Sequence, residues 1–210
     1  MTQVLVTASF PSQLIDRISA VSVSLEVSHL DLGNKGWPHG RSATAEIMYA
    51  YGSATLPPLE LAPNLRWVQM HSAGIDHMVE SDLWHSDIQI TTTSGIHASN
   101  MGQYVMAQIL AWANHVPGFL VQQRRGRWPK DRWSKFLPDE LRGRTLGILG
   151  YGSIGREVAR LAKAFGMTVL ASKRDARHIK DSGYAIPGTG DPDGAMADRI
   201  YPDAAVRSMV

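Results

Sequence analysis

Short apolar runs alternate with amphipathic stretches along the first part of the chain. A helix is predicted over residues 11–20, and strands are predicted at residues 4–7, 21–27, 45–50, 65–70 and 88–92. Strands that alternate with helical stretches are typical of a parallel sheet with helices packed on it. The pattern therefore predicts a small parallel α/β domain over roughly the first 95 residues.

A second α/β unit is predicted around a group of glycines. The apolar run Thr145–Leu149 is followed by Gly150, Gly152 and Gly155 in the spacing G-x-G-x-x-G, then by an amphipathic helix and another apolar run at residues 167–171. In this pattern the first glycine makes a tight turn, the second leaves room for a pyrophosphate, and the third lets helix and strand pack closely. Because a helix N-terminus favours a phosphate group, the segment predicts a dinucleotide-binding site.

The end of the second strand bears on which dinucleotide is bound. An NAD site usually has an acidic residue about 20 residues past the start of the motif, whereas this chain has Ser172, Lys173 and Arg174 there. These side chains form hydrogen bonds with a 2′-phosphate and the basic pair neutralises it, so NADP is favoured over NAD. The alternative is that the basic pair is solvated and Asp175 binds the ribose.

Composition excludes several classes of protein. The chain has 210 residues, 44% of them hydrophobic, so it is long enough for one or two cores, and its net charge of +2 is too small to indicate a nucleic-acid partner. Residues 124–130 interleave basic and aromatic residues, which a solvated arm explains better than RNA or DNA binding. The absence of cysteine fits a reducing cytoplasm, and no apolar run is long enough for a membrane span. We expect neither a metal site nor a membrane partner.

Taken together, four segments resemble the D-isomer-specific 2-hydroxyacid dehydrogenases: residues 65–76, residues 92–97, the predicted helix at Asn100 and residues 141–170. The resemblance covers the N-terminal two-thirds of that family. It implies an α/β protein with a flavodoxin-like substrate domain at residues 1–96 and a Rossmann-type, doubly wound dinucleotide-binding domain, incomplete, at residues 97–210. It also implies hydride transfer between NAD(P)H and a 2-keto or 2-hydroxy acid such as glyoxylate or hydroxypyruvate, and a homodimer.

The same resemblance implies roles for particular residues. The backbone N–H groups of Ala73 and Gly74 would bind the substrate carboxylate. The cofactor site would comprise the three glycines together with the residues that meet the pyrophosphate and the adenosine ribose, namely Gly150, Gly152, Gly155, Ser153, Ile154, Ser172, Lys173 and Arg174.

One departure from the family pattern affects catalysis. The resemblance places the catalytic Arg, Glu and His downstream of Val210, so no catalytic residue is assigned in this chain and we expect little turnover from it. Only two strands of the second sheet are predicted, against about six in a full doubly wound domain. We therefore expect exposed apolar surface that favours oligomers. The alternative function is a non-catalytic NADP(H)-binding fragment or interaction module.

Overall fold

The computed structural model describes residues 1–32, 37, 40–52 and 55–209. Most of the loop predicted around residues 32–41 lies outside the described residues. The chain divides into two compact units, Met1–Ser94 and Gly95–Val210. This division lies two residues before the predicted end of the first domain at residue 96.

The first unit is built on a sheet of five parallel strands in the order β2-β1-β3-β4-β5. This is the flavodoxin-like order. One α-helix, α1 (Ser12–Ser19), follows the first strand. The strands are β1 (Thr2–Val6), β2 (Leu25–His29), β3 (Ile47–Ala50), β4 (Trp67–Met70) and β5 (Gln89–Thr91). Among the described residues of the connections, Leu59–Leu61 and Asp76–Met78 form 3-10 helices.

The second unit contains a sheet of three parallel strands in the order β6-β7-β8. This is the order of one half of a doubly wound sheet. Four α-helices accompany it: α2 (Ala98–Ala113), α3 (Val116–Arg124), α4 (Arg132–Lys135) and α5 (Ser153–Ala164). The strands are β6 (Thr145–Leu149), β7 (Thr168–Lys173) and β8 (Arg199–Pro202), and a 3-10 helix over Asp203–Ser208 ends the described chain.

The predicted α/β class with parallel sheets is confirmed, but the expectation of only two strands in the second sheet is wrong. The third strand, β8, is short and contains only two apolar residues before Pro202, so the sequence gives it little strand character. Asp198 fixes its position, because the backbone N–H of Val169 donates to the Asp198 carboxylate at 2.7 Å and the Asp198 N–H donates to the Val169 carbonyl at 2.8 Å.

The core of the second unit lies where α2 and α5 pack with the sheet. Val158 of α5 and Val169 of β7 are buried in one apolar cluster with Met106 of α2. Gly102 permits a close approach of the two helices, because a Cβ there would lie 2.7 Å from Cγ of Glu157. This packing holds α5 firmly behind the glycine turn.

Candidate dinucleotide-binding site

The three glycines between β6 and α5 each meet a different steric requirement. Gly150 has a φ of +95°, a left-handed conformation that favours glycine. A Cβ at Gly152 would meet no atom within 4 Å among the described residues, so the space beside it is open. A Cβ at Gly155 would lie 2.4 Å from the carbonyl oxygen of Gly150. The tight turn, the open approach and the close packing are therefore all present.

Helix α5 begins directly above this open space. Gly152 precedes it in extended conformation (φ −89°, ψ −164°), and no side chain caps the helix start. The first N–H groups of an α-helix have no acceptor within the helix, and Ser153 and Ile154 occupy these positions. Both residues retain some exposure. Oriented N–H groups beside an open glycine form a suitable site for a pyrophosphate, so the residues present fit a dinucleotide.

Ser172 supports the turn from below. Its side chain is buried, and its Oγ accepts a hydrogen bond from the Gly150 N–H at 3.2 Å. Its carbonyl oxygen accepts from the Tyr151 N–H at 2.8 Å. The Ser172 hydroxyl therefore supports the glycine turn as an acceptor, and its predicted contact with the adenosine ribose stays a prediction.

The basic pair at the end of β7 is divided between two tasks. Lys173 is half-buried, and its Nζ donates to the carbonyl oxygen of His178, so it holds the following turn. Arg174 is exposed. Arg174 is thus the better placed of the two to meet a 2′-phosphate, since its guanidinium extends into solvent at the strand end.

A buried polar network ties the segment after β7 to the glycine turn. Tyr151, in the middle of the motif, is 1% exposed, and its hydroxyl donates to Asp191 Oδ2 at 2.5 Å. Arg156 of α5 is 2% exposed and donates to the carbonyl oxygens of Asp191 and Ile179. Burial, together with the bond to Asp191, raises the pKa of Tyr151 well above its ordinary value. Tyr151 therefore stays a neutral hydrogen-bond donor.

Glu157 makes a second link between α5 and the same segment. Its carboxylate accepts from Arg160 at 2.6 and 2.9 Å and from the Gly190 N–H at 2.6 Å. The hydrogen bond from Arg160, joined by that from Gly190, holds the pKa of Glu157 below its usual range although burial opposes the shift. Glu157 is therefore ionised at neutral pH and anchors the loop to the helix.

In the first unit, the turn after β4 carries the residues predicted to bind the substrate carboxylate. His71 and Ser72 connect to the next strand, since Thr93 Oγ1 donates to the His71 carbonyl at 2.7 Å and the Thr93 N–H donates to the Ser72 carbonyl at 3.2 Å. Within the described residues, the buried Oγ of Ser72 has no hydrogen-bond partner. Ala73 is half-buried and Gly74 is exposed. A buried hydroxyl without a partner beside exposed backbone is consistent with a small polar ligand at this turn.

Sequence reasoning missed Tyr151 and Asp191. Tyr151 occupies a variable position of the glycine motif, and Asp191 stands in a stretch read as loop. The sequence signal for this network was the pair of charged residues Arg156 and Glu157 early in α5. Charged side chains require polar partners if other parts of the chain bury that face of the helix. In the parts of the chain that the structure describes, no cluster of metal-ligating side chains is found, and no helix has the length and apolar character needed to cross a membrane.

Comparison with known proteins finds a family match within the second unit. Residues 106–189 match the model of the D-isomer specific 2-hydroxyacid dehydrogenase NAD binding domain. A hydroxypyruvate reductase of Thermotoga maritima is 33% identical over 113 residues, which cover 54% of this chain and 36% of that protein. A glyoxylate reductase of Korarchaeum cryptofilum is 36% identical over 113 residues, which cover 53% of this chain and 34% of that protein.

A solved structure extends the likeness to both units. The D-isomer specific 2-hydroxyacid dehydrogenase family protein of Aeromonas salmonicida has a TM-score of 0.71 and 26% identity, over 99% of this chain and 60% of that one. The present chain spans about a third of the length of the curated relatives that it matches. Over residues 106–189, the chain is therefore similar to the NAD binding domain of the D-isomer specific 2-hydroxyacid dehydrogenases.

Proposed function

We propose that the protein is an NAD(P)-dependent 2-hydroxyacid dehydrogenase whose second unit binds NADP(H) at the glycine turn. The observation that carries the proposal is the fit of Gly150, Gly152 and Gly155 to their three steric tasks beneath the start of α5. The family of the matched domain supports the reaction class. The relatives named hydroxypyruvate reductase and glyoxylate reductase support a small 2-keto or 2-hydroxy acid as substrate.

The reaction requires a hydride and a proton to move together. A nicotinamide held at this site would supply the hydride to C2 of a 2-keto acid, or accept it from C2 of a 2-hydroxy acid, while the oxygen on C2 gains or loses a proton. This chain contributes binding and orientation: the α5 N-terminus holds the pyrophosphate, and the N–H groups of Ala73 and Gly74 hold the substrate carboxylate. Fixing both ends of the reacting pair is a large part of what an enzyme supplies.

NADP is the coenzyme that the strand end favours. Arg174 is exposed and positive, whereas both carboxylate oxygens of Asp175 already accept hydrogen bonds, from the Arg177 N–H at 3.0 Å and from His178 at 2.5 Å. An acid that is engaged in its own turn is poorly placed to accept from the ribose hydroxyls of NAD. The alternative assignment of Asp175 to the ribose is therefore the weaker one.

Gly152→Val tests the dinucleotide site. Since the φ and ψ of Gly152 suit any residue and its surroundings are open, we expect the variant to keep its melting temperature but to lose NADPH binding at least tenfold, measured by fluorescence titration. Gly155→Ala is the contrast, because its Cβ would clash with the Gly150 carbonyl and lower the melting temperature. Undiminished NADPH binding by a folded Gly152→Val variant would contradict the proposal.

We also propose that the protein is a cytoplasmic homodimer. The absence of cysteine supports a reducing compartment. Large apolar side chains of the second unit support self-association: Trp112, Trp128 and Trp133 are 74%, 79% and 77% exposed, and Leu149 at the end of β6 is 71% exposed. Exposed apolar surface of this extent usually marks an interaction site.

A further inference from the structure

The turn that follows β7 contains an acidic residue where a 2′-phosphate is expected. Asp175 directly follows Arg174 and is exposed at the surface. An ionised carboxylate beside this position repels a phosphate and competes for the guanidinium of Arg174. The turn therefore binds NADP well only if the charge of Asp175 is directed elsewhere.

His178 provides that second partner. Its Nδ1 lies 2.5 Å from Asp175 Oδ2, while the other carboxylate oxygen accepts from the Arg177 N–H at 3.0 Å. These two contacts, that of His178 first, hold the pKa of Asp175 below its ordinary value. Lys173 donates to the His178 carbonyl and so closes the turn from the strand side. The Asp175 carboxylate is thus drawn into the turn.

Two ion pairs lie in the segment that follows this turn. Lys180 lies 3.7 Å from Asp193, and Asp181 lies 3.2 Å from Arg156. The side-chain contact of the Asp175 carboxylate comes instead from His178. His178 is therefore the side chain that sets how strongly the carboxylate of Asp175 opposes a phosphate at Arg174.

We propose that His178 is a specificity-determining residue for the coenzyme, because it occupies Asp175 and thereby leaves Arg174 to bind the 2′-phosphate of NADP. The inference rests on the proposed function and names a residue that the glycine motif and the basic strand end do not include. Without the His178 side chain, the Asp175 carboxylate turns outward. There it repels the 2′-phosphate of NADP and accepts hydrogen bonds from the ribose hydroxyls of NAD.

A double-mutant cycle tests this role. NADPH and NADH dissociation constants are measured by fluorescence titration for the unaltered protein, His178→Ala, Asp175→Asn and the double variant. We expect His178→Ala to weaken NADPH binding by up to about fivefold, the size of one exposed polar contact, and to leave NADH binding unchanged or tighter. In the Asp175→Asn background the same change has no effect. His85→Ala, an exposed histidine of the first unit, is the matched control.

The outcomes separate this inference from the proposed function. If the unaltered protein binds neither dinucleotide, both the proposed function and the role of His178 are overturned. If NADPH binds but His178→Ala changes nothing, only the role of His178 is overturned. If His178→Ala weakens NADPH equally with and without the Asp175 carboxylate, His178 contacts the phosphate itself, and the proposed action through Asp175 is overturned.

Discussion

At the scale of single residues, the hydroxyl of Tyr151 links the glycine turn to the segment after β7, and removing it measures what this link contributes to stability. Tyr151→Phe removes the bond to Asp191 and leaves a buried carboxylate oxygen with fewer donors. We expect the free energy of unfolding to fall by about 2 kcal/mol, as for a buried hydrogen bond to a charged group, measured by urea denaturation. Tyr184→Phe, at an exposed tyrosine, should change it little. Equal midpoints for the two variants would contradict the assignment.

The same residues show which roles a sequence reveals. The tasks of Gly150, Gly152 and Gly155 depend on neighbours within one short motif, so spacing alone predicted them. The partner of Tyr151 lies 40 residues further along the chain, and no local pattern links the two. The position of Ser172 at a strand end predicts a contact with the ribose, whereas the support that its buried hydroxyl gives to the Gly150 N–H is visible only in the fold. Burial is a property of the packed unit.

At the scale of elements, the attachment of α5 to the loop at Gly190 should depend on pH. The pKa of Glu157 is lowered in the folded state, so its contribution to stability is present above its ordinary value near 4.5 and is lost as pH falls through the lowered folded value. We expect Glu157→Gln to cost about 2 kcal/mol at pH 7 and less near pH 3, in urea denaturation. Glu80→Gln, at an exposed position of the first unit, should change the free energy of unfolding little at either pH. If Glu157→Gln lowers the free energy of unfolding by the same amount at both pH values, the ionised Glu157 carboxylate is not what attaches the loop to α5.

The limits of a strand were predicted correctly where glycines flank it. They were not predicted where tertiary contacts determine where an element begins or ends. Strand β6 has the predicted bounds, Thr145–Leu149. Helix α2 starts at Ala98 with His97 as its N-cap residue and no side-chain cap, so no local capping signal marks this start. Pro117 lies in the first turn of α3, where its missing N–H is not needed, so this proline does not end the helical region. The strand β8 depends on Asp198, whose bonds to Val169 no sequence pattern indicates.

At the scale of the whole molecule, the exposed tryptophans of the second unit test the proposed homodimer. Trp112 lies near the end of α2 with 74% of its surface exposed. If this face joins two copies, light scattering coupled to gel filtration should give twice the chain mass of 23.0 kDa. The Trp112→Gln variant should then shift toward the monomer, because central aromatic residues contribute most to such interfaces. Trp84→Gln in the first unit, where the side chain is 42% exposed, should leave the mass unchanged. A monomeric unaltered protein would overturn the homodimer, and a dimer insensitive to Trp112→Gln would place the interface on another surface.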